Sequence, residues 1–177
     1  MKSKCILAFI WVCGLVGCVT KEPVVIEPHA DVTVQLPVRF STYRDVYTFI
    51  ARREGVPTNT DALFKLAADS ETEIYAFDDP PPYLWVITPH FYNGGIFDEI
   101  RGAQGNGGYY ILRPLARNFT SMDTDCGFEL VGVAEGNSVS WRSLNHNPQL
   151  ITTWHIGGGK PPETVYEWNG KYFEQVK

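Results

Sequence analysis

Apolar residues recur at helical spacing in two short stretches, then at alternating positions in short runs from about residue 73 onward. In the first stretch Val46, Tyr47, Ile50 and Ala51 share one helical face. Thr42, with Asp45 three positions on, supplies the side chains of a capping box, and Gly55 ends the run. A second helix is expected from Thr60, acting as N-cap, to Ala68. Asp61 suits its positive N-terminal end, and Leu63, Phe64, Leu66 and Ala67 form its buried side. Pro57 forces the break between them.

The β-type runs are Glu73 to Phe77, Tyr83 to Thr88, Tyr109 to Arg113, Phe128 to Ala134, Ser138 to Arg142 and Leu150 to His155, separated by glycine, proline and asparagine clusters. A closing hairpin joins Val165-Tyr166-Glu167-Trp168 to Lys171-Tyr172-Phe173-Glu174 through Asn169-Gly170, a dipeptide suited to a type I′ turn. Alternation in Tyr83-Leu84-Trp85-Val86-Ile87 gives two apolar faces, and a sheet apolar on both faces needs either the two helices over one side or a binding partner. The pattern predicts an α+β domain: two short N-terminal helices packed on an antiparallel, twisted sheet system of one sheet or two small ones, ending in the Asn-Gly hairpin.

Ahead of this domain the chain reads as an export segment. Lys2 and Lys4 precede an apolar core from Ile6 to Val16 that is too short to span a bilayer. Leu15-Val16-Gly17-Cys18 resembles the lipobox of bacterial lipoproteins, in which a small residue precedes a cysteine that is acylated before cleavage. The resemblance implies a signal peptide over 1–17, a lipidated tether over 18–40 containing Pro23, Pro28 and Pro37, and a single domain over 41–177. A short strand, Val32 to Leu36, is expected late in the tether. Palmitate-type chains on Cys18 would anchor the protein firmly, because each buried methylene contributes roughly 0.8 kcal/mol. Val19 stands where an aspartate would, by the same resemblance, retain a lipoprotein in the inner membrane, so the expected location is the cell envelope, at the outer membrane.

Charge changes the picture by exclusion. Without Lys2 and Lys4 the chain carries 13 basic against 20 acidic residues, which argues against nucleic acid as a partner. Cysteine adds a second exclusion. Cys126 is the one thiol outside the export segment besides Cys18, so no intramolecular disulfide is available. Asp123 and Asp125 beside it would raise a thiol pKa, which suits an idle cysteine better than a nucleophile.

Candidate chemistry is sparse. Gly157-Gly158-Gly159-Lys160 has Trp154 and Pro161 where a phosphate-binding loop needs glycine and Ser or Thr, and reads as a connection between strands. Asp123-Thr124-Asp125-Cys126-Gly127 offers two carboxylates ahead of a glycine, so Asp123 and Asp125 are calcium candidates, but the run is one residue short and an acidic turn is the plainer reading. His29, His90, His146 and His155 include no i, i+4 pair for zinc. Gly-x-Ser-x-Gly is missing, while paired carboxylates from Asp78, Asp79, Asp98 or Glu99 would be needed for glycoside hydrolysis. The segment Phe91, Tyr92, Asn93, Gly94, Gly95, continuing through Ile96 and Phe97 and followed by the glycine-rich Gly102 to Gly108, is the candidate recognition loop.

From Gly127-Phe128-Glu129-Leu130 through Pro148-Gln149-Leu150-Ile151 to Val165-Tyr166-Glu167-Trp168-Asn169-Gly170-Lys171-Tyr172-Phe173, the chain also resembles blade segments of FG-GAP or VCBS-type β-propeller repeats. That resemblance implies local strand geometry only. The calcium ligands of such repeats do not carry over, and the chain is too short for a full propeller.

The expectation is therefore a membrane-anchored envelope lipoprotein with a non-enzymatic binding or structural role toward a protein or cell-wall partner, without cofactor or metal. The alternative is an inhibitor or immunity lipoprotein that neutralises a basic hydrolase or toxin. An envelope hydrolase ranks third.

Overall fold

The computed structural model describes residues 34–77, 83–95, 97–102, 104–115, 125–144, 147–157 and 159–176. The elements run β1 (Val38–Thr42), α1 (Tyr43–Arg53), α2 (Thr60–Asp69), β2 (Glu71–Ala76), β3 (Tyr83–Thr88), β4 (Gly107–Pro114), β5 (Asp125–Gly136), β6 (Ser138–Leu144), β7 (Asn147–Thr153), β8 (Glu163–Trp168) and β9 (Phe173–Gln175). Two antiparallel sheets result, one of five strands in the order β1-β5-β4-β3-β2 and one of four in the order β6-β7-β8-β9. This is the α+β architecture that the two hydrophobic periods call for. The smaller sheet is an up-and-down meander.

Helix α1 starts as its sequence demands. The Thr42 hydroxyl accepts from the Asp45 N–H at 3.1 Å while the Asp45 carboxylate accepts from the Thr42 N–H at 3.0 Å. Its far end closes through Gly55, at φ 72°, with the Val56 N–H donating to the Ala51 carbonyl at 2.8 Å. Helix α2 is capped one residue earlier than the sequence suggests. Asn59 holds the extended conformation and its Oδ1 accepts from the Ala62 N–H at 2.9 Å, whereas Thr60 lies in the first turn and accepts from Arg44 at 2.8 Å. Asparagine caps at least as well as threonine, so the neighbouring pair was ambiguous on chemistry alone.

The inner strands of the five-stranded sheet are buried on both faces. Ile87, Tyr110, Leu112, Phe128 and Leu130 pack against Val46, Tyr47, Ile50, Leu63 and Leu66 of the helices. On the opposite face Leu84, Val86, Ile111 and Val131 meet Leu150, Trp168 and Phe173 of the smaller sheet. The second cover that β3 needs is thus the C-terminal half of the same chain. Much of the aromatic content goes into this layer: the Trp141 ring lies 5.1 Å from Tyr75, 5.3 Å from Phe77 and 5.5 Å from Phe173. Burying such a side chain contributes about 2 kcal/mol or more.

Three readings are corrected by the backbone. Residues 34–40, assigned to the tether, belong to the domain: Val34, Leu36, Val38 and Phe40 pack on the core, and the first strand is β1 on β5 rather than Val32 to Leu36. Of that proposed strand, Val32 and Thr33 lie outside the described residues and Val34 to Leu36 are not in a strand. The last hairpin exists, but Trp168 pairs with Phe173, so four residues form its loop instead of a two-residue type I′ turn. The Asn169 carboxamide drives this, its Oδ1 accepting from the N–H groups of Lys171 and Tyr172, both at 3.0 Å.

Candidate functional site

The strand register decides which loops meet. Gly107 pairs with Gly136 at the end of the β4–β5 ladder, so the long β3–β4 connection lies beside Asn137, where the chain passes from β5 to β6. Between them opens a cleft of about 390 Å³ whose walls include Tyr92, Phe97, Gln104 and Asn137.

Asp98 organises the loop at the base of this cleft. Its Oδ2 is hydrogen-bonded to His90 Nδ1, and its Oδ1 accepts from the N–H groups of Phe91 at 3.1 Å, Ile100 at 3.1 Å and Arg101 at 3.4 Å. An ionised carboxylate only accepts, so the imidazole donates from Nδ1, and in the neutral ring Nε2 is then an acceptor. The Glu99 N–H donates to the Phe91 carbonyl at 3.0 Å, which closes the loop a second time. A third tie comes from α2: the Asp69 carboxylate accepts from the Tyr92 N–H at 3.1 Å and from Lys65 at 2.7 Å. Burial alone would push the Asp69 carboxyl up, but the hydrogen bonds from Lys65 and Tyr92 outweigh it and hold the group below its ordinary value.

Arg101 forms the floor. It is 7% exposed, and its guanidinium donates to the carbonyls of Gly105 at 3.1 Å, Gly108 at 3.1 Å and Gly136 at 3.3 Å and to the Tyr109 hydroxyl at 2.8 Å. The same group lies 4.7 Å from the Tyr109 ring centroid. Burial pushes the Tyr109 phenol up, and Arg101 beside it acts in the opposite direction. The glycine-rich segment thereby acquires a role. A Cβ on Gly107 would stand 2.9 Å from Arg101 Cγ, so the chain wraps the guanidinium closely only because that residue has no side chain.

The candidate recognition loop divides in two. Phe91 is buried at 7% exposure with the Lys65 ammonium 5.7 Å from its ring centroid, and it serves the core rather than recognition. Tyr92, Asn93, Gly94 and Gly95 are exposed, as is Phe97 at 60%. The Tyr92 ring lies parallel to that of His90, 6.0 Å away with 5° between planes. Ile96 lies outside the described residues.

Other candidates are not drawn into this site. Cys18, like the whole of 1–33, lies outside the described residues, as do Asp78, Asp79, Asp123, His29, His146 and Gly158. Asp125 and Cys126 are described only as the backbone that begins β5. His155 takes part in a separate contact, its N–H donating to Asn106 Oδ1 at 3.0 Å. Lys160 stands in solvent 3.8 Å from Glu163, within a connection closed by the Trp154 N–H on the Pro162 carbonyl at 3.3 Å. Among the described residues no group of three His, Cys, Asp or Glu side chains has metal-holding geometry, and no helix is long and apolar enough to cross a membrane.

His90, Asp98, Arg101, Gln104 and Asn137 were not singled out together from the sequence. One local signal was present: an aspartate followed by glycine four residues on marks a capped single turn, which the Gly102 N–H completes on the Asp98 carbonyl at 2.8 Å. The chain matches no family model, no curated protein and no solved structure.

Proposed function

We propose that the chain is an envelope lipoprotein, held to the membrane through Cys18, whose domain binds a partner at the cleft between Tyr92, Phe97, Gln104 and Asn137 and has a binding or structural role rather than a catalytic one. One observation carries the binding part of this reading. Exposed rings, Tyr92 and Phe97, belong to a loop pinned at its base by Asp98, and a surface that is already ordered loses little conformational entropy when a partner docks. The oxygens of Asp98 and four N–H groups of Arg101 are committed to holding the loop, a division that suits recognition better than turnover. The export segment and its lipobox support the location.

The test has two parts. Cys18→Ala should abolish incorporation of labelled palmitate and move the protein to the soluble envelope fraction; retention in the membrane would refute the anchor. Tyr92→Ala combined with Phe97→Ala should leave the fold and anchoring intact and remove partners captured from solubilised envelopes; an unchanged capture would refute the site.

The inhibitor or immunity reading has one observation in its favour. Glu71 and Glu73 are exposed two positions apart on β2, an edge strand, so both carboxylates project from one face. Binding to a basic hydrolase that weakens with salt and disappears in the Glu71→Gln, Glu73→Gln double variant would establish it in place of the first.

A further inference from the structure

The chemistry left open in the cleft selects a class of ligand, on the reading that the cleft is a binding site. Its charged groups are spent. Both oxygens of Asp98 accept hydrogen bonds, and Arg101 has four donor contacts with neutral acceptors. An ionic ligand would displace these bonds and leave a buried charge unsatisfied.

The polar atoms that remain are neutral. Among the described residues His90 Nε2 has no hydrogen-bond partner, and in the neutral ring, with its proton on Nδ1, it presents a lone pair to the cleft wall. Asn137 uses its Nδ2 on the Gln104 carbonyl at 2.8 Å, which leaves its Oδ1 as an acceptor, while the Gln104 carboxamide nitrogen is a donor. Donors and acceptors of this kind, mixed and uncharged, match hydroxyl groups.

Aromatic faces complete the set. Tyr92 has one ring face against His90 and keeps 38% of its surface exposed, and Phe97 keeps 60%. The face of an aromatic ring is negative and attracts polarised C–H groups. A molecule with a flat C–H face and a rim of hydroxyls that both donate and accept is a sugar ring. The 390 Å³ available is at the small end of the range for small-ligand sites.

We propose that the cleft binds a neutral saccharide, one ring laid against Tyr92 and Phe97 with its hydroxyls bonded to His90 Nε2, Gln104 and Asn137. The anchor would then hold a glycan-binding domain at the membrane surface.

The experiment is calorimetric titration of the detergent-solubilised, lipidated full chain with chitotriose, cellotriose and maltotriose, and with trigalacturonate as an anionic comparison. Saturable binding of at least one neutral trisaccharide is expected, changing little between about 0.05 and 0.5 M salt because no charge pair forms. Tyr92→Ala and Phe97→Ala should each weaken it about tenfold or more, whereas Tyr92→Phe, which keeps the ring, should retain it. Near-UV circular dichroism establishes that the variants are folded. Preference for trigalacturonate, equal affinity in Tyr92→Ala, or no binding by any neutral trisaccharide would each overturn the proposal. A chain that binds none of them but still captures an envelope protein through Tyr92 would overturn the saccharide assignment alone and leave the anchored binding protein standing.

Discussion

His90 Nδ1 and Asp98 Oδ2 are hydrogen-bonded across eight positions of sequence, and the stretch between them carries the exposed residues Tyr92 to Gly95. The bond turns an otherwise irregular connection into a closed loop with a buried base. Asp98→Ala removes the acceptor for His90 and for three backbone N–H groups at once, and the bonds from Phe91 and Arg101 are buried. Stability should fall by about 3 kcal/mol in urea denaturation, and amide exchange should accelerate at Phe91 and Arg101. A loss below about 1 kcal/mol would show that the loop is held by other contacts.

Arg101 should not tolerate lysine. An ammonium on a flexible stem cannot reach the Gly105, Gly108 and Gly136 carbonyls and the Tyr109 hydroxyl together, because those acceptors are arranged around a planar fork. Arg101→Lys is expected to cost about 2 kcal/mol or more. The exposed Arg52→Lys should be neutral within about 0.5 kcal/mol by the same thermal or urea measurement.

Acid should weaken the fold through Glu129. This carboxylate, 3% exposed, accepts from Arg39 at 3.1 Å and from Arg113 on the neighbouring strand. Burial pushes its pKa up, but the hydrogen bonds from Arg113 and Arg39 outweigh burial and lower it below the ordinary 4.5. A carboxyl with a depressed folded pKa contributes stability that is fully present above the unfolded value and is lost as pH falls through the folded one. The denaturation midpoint should therefore be steady above about pH 5 and decline below the ordinary glutamate value. In Glu129→Gln the part of that decline belonging to this group should disappear, which a pH series of urea midpoints on both proteins would measure.

The final loop gives a local test of its four-residue geometry. Gly170 sits at φ 94°, and a Cβ there would meet nothing within 4 Å, so a substitution is strained by backbone conformation alone. Gly170→Ala should cost about 1 kcal/mol. Asn169→Ala should cost a similar amount, because Oδ1 satisfies two backbone N–H groups. A two-residue type I′ turn would depend on Asn169 for its positive φ and not for its carboxamide, so Asn169→Gly restoring full stability would contradict the observed loop.

Periodicity and capping chemistry were enough to read both helices, the strand regions from β2 onward and the α+β class, because these depend on residues close in sequence; β1 was missed. Tyr83 to Thr88 was legible to the residue, and so was the capping box of Thr42 and Asp45. The two-faced burial of β3 was legible as a need, though not the identity of the second cover. Where local signals competed, they misled by small amounts, as at Asn59 against Thr60, or by overlooking a side-chain acceptor, as at Asn169.

The cleft was decided only by tertiary structure. The pairing of Gly107 with Gly136 carries Asn137 to Gln104, and Arg101 reaches across 35 positions of sequence to the Gly136 carbonyl. No periodicity records such a register. Phe91 and Tyr92 show the same limit at the scale of adjacent residues: one ring went into the core and its neighbour into solvent. In an irregular loop, the side of the chain that is buried is set by what packs beneath it, here α2 and the Asp98 carboxylate, and not by any repeat along the chain. What the amino-acid order determined was the helices and the strands from β2 onward; what the fold determined was which polar groups are spent on structure and which remain open.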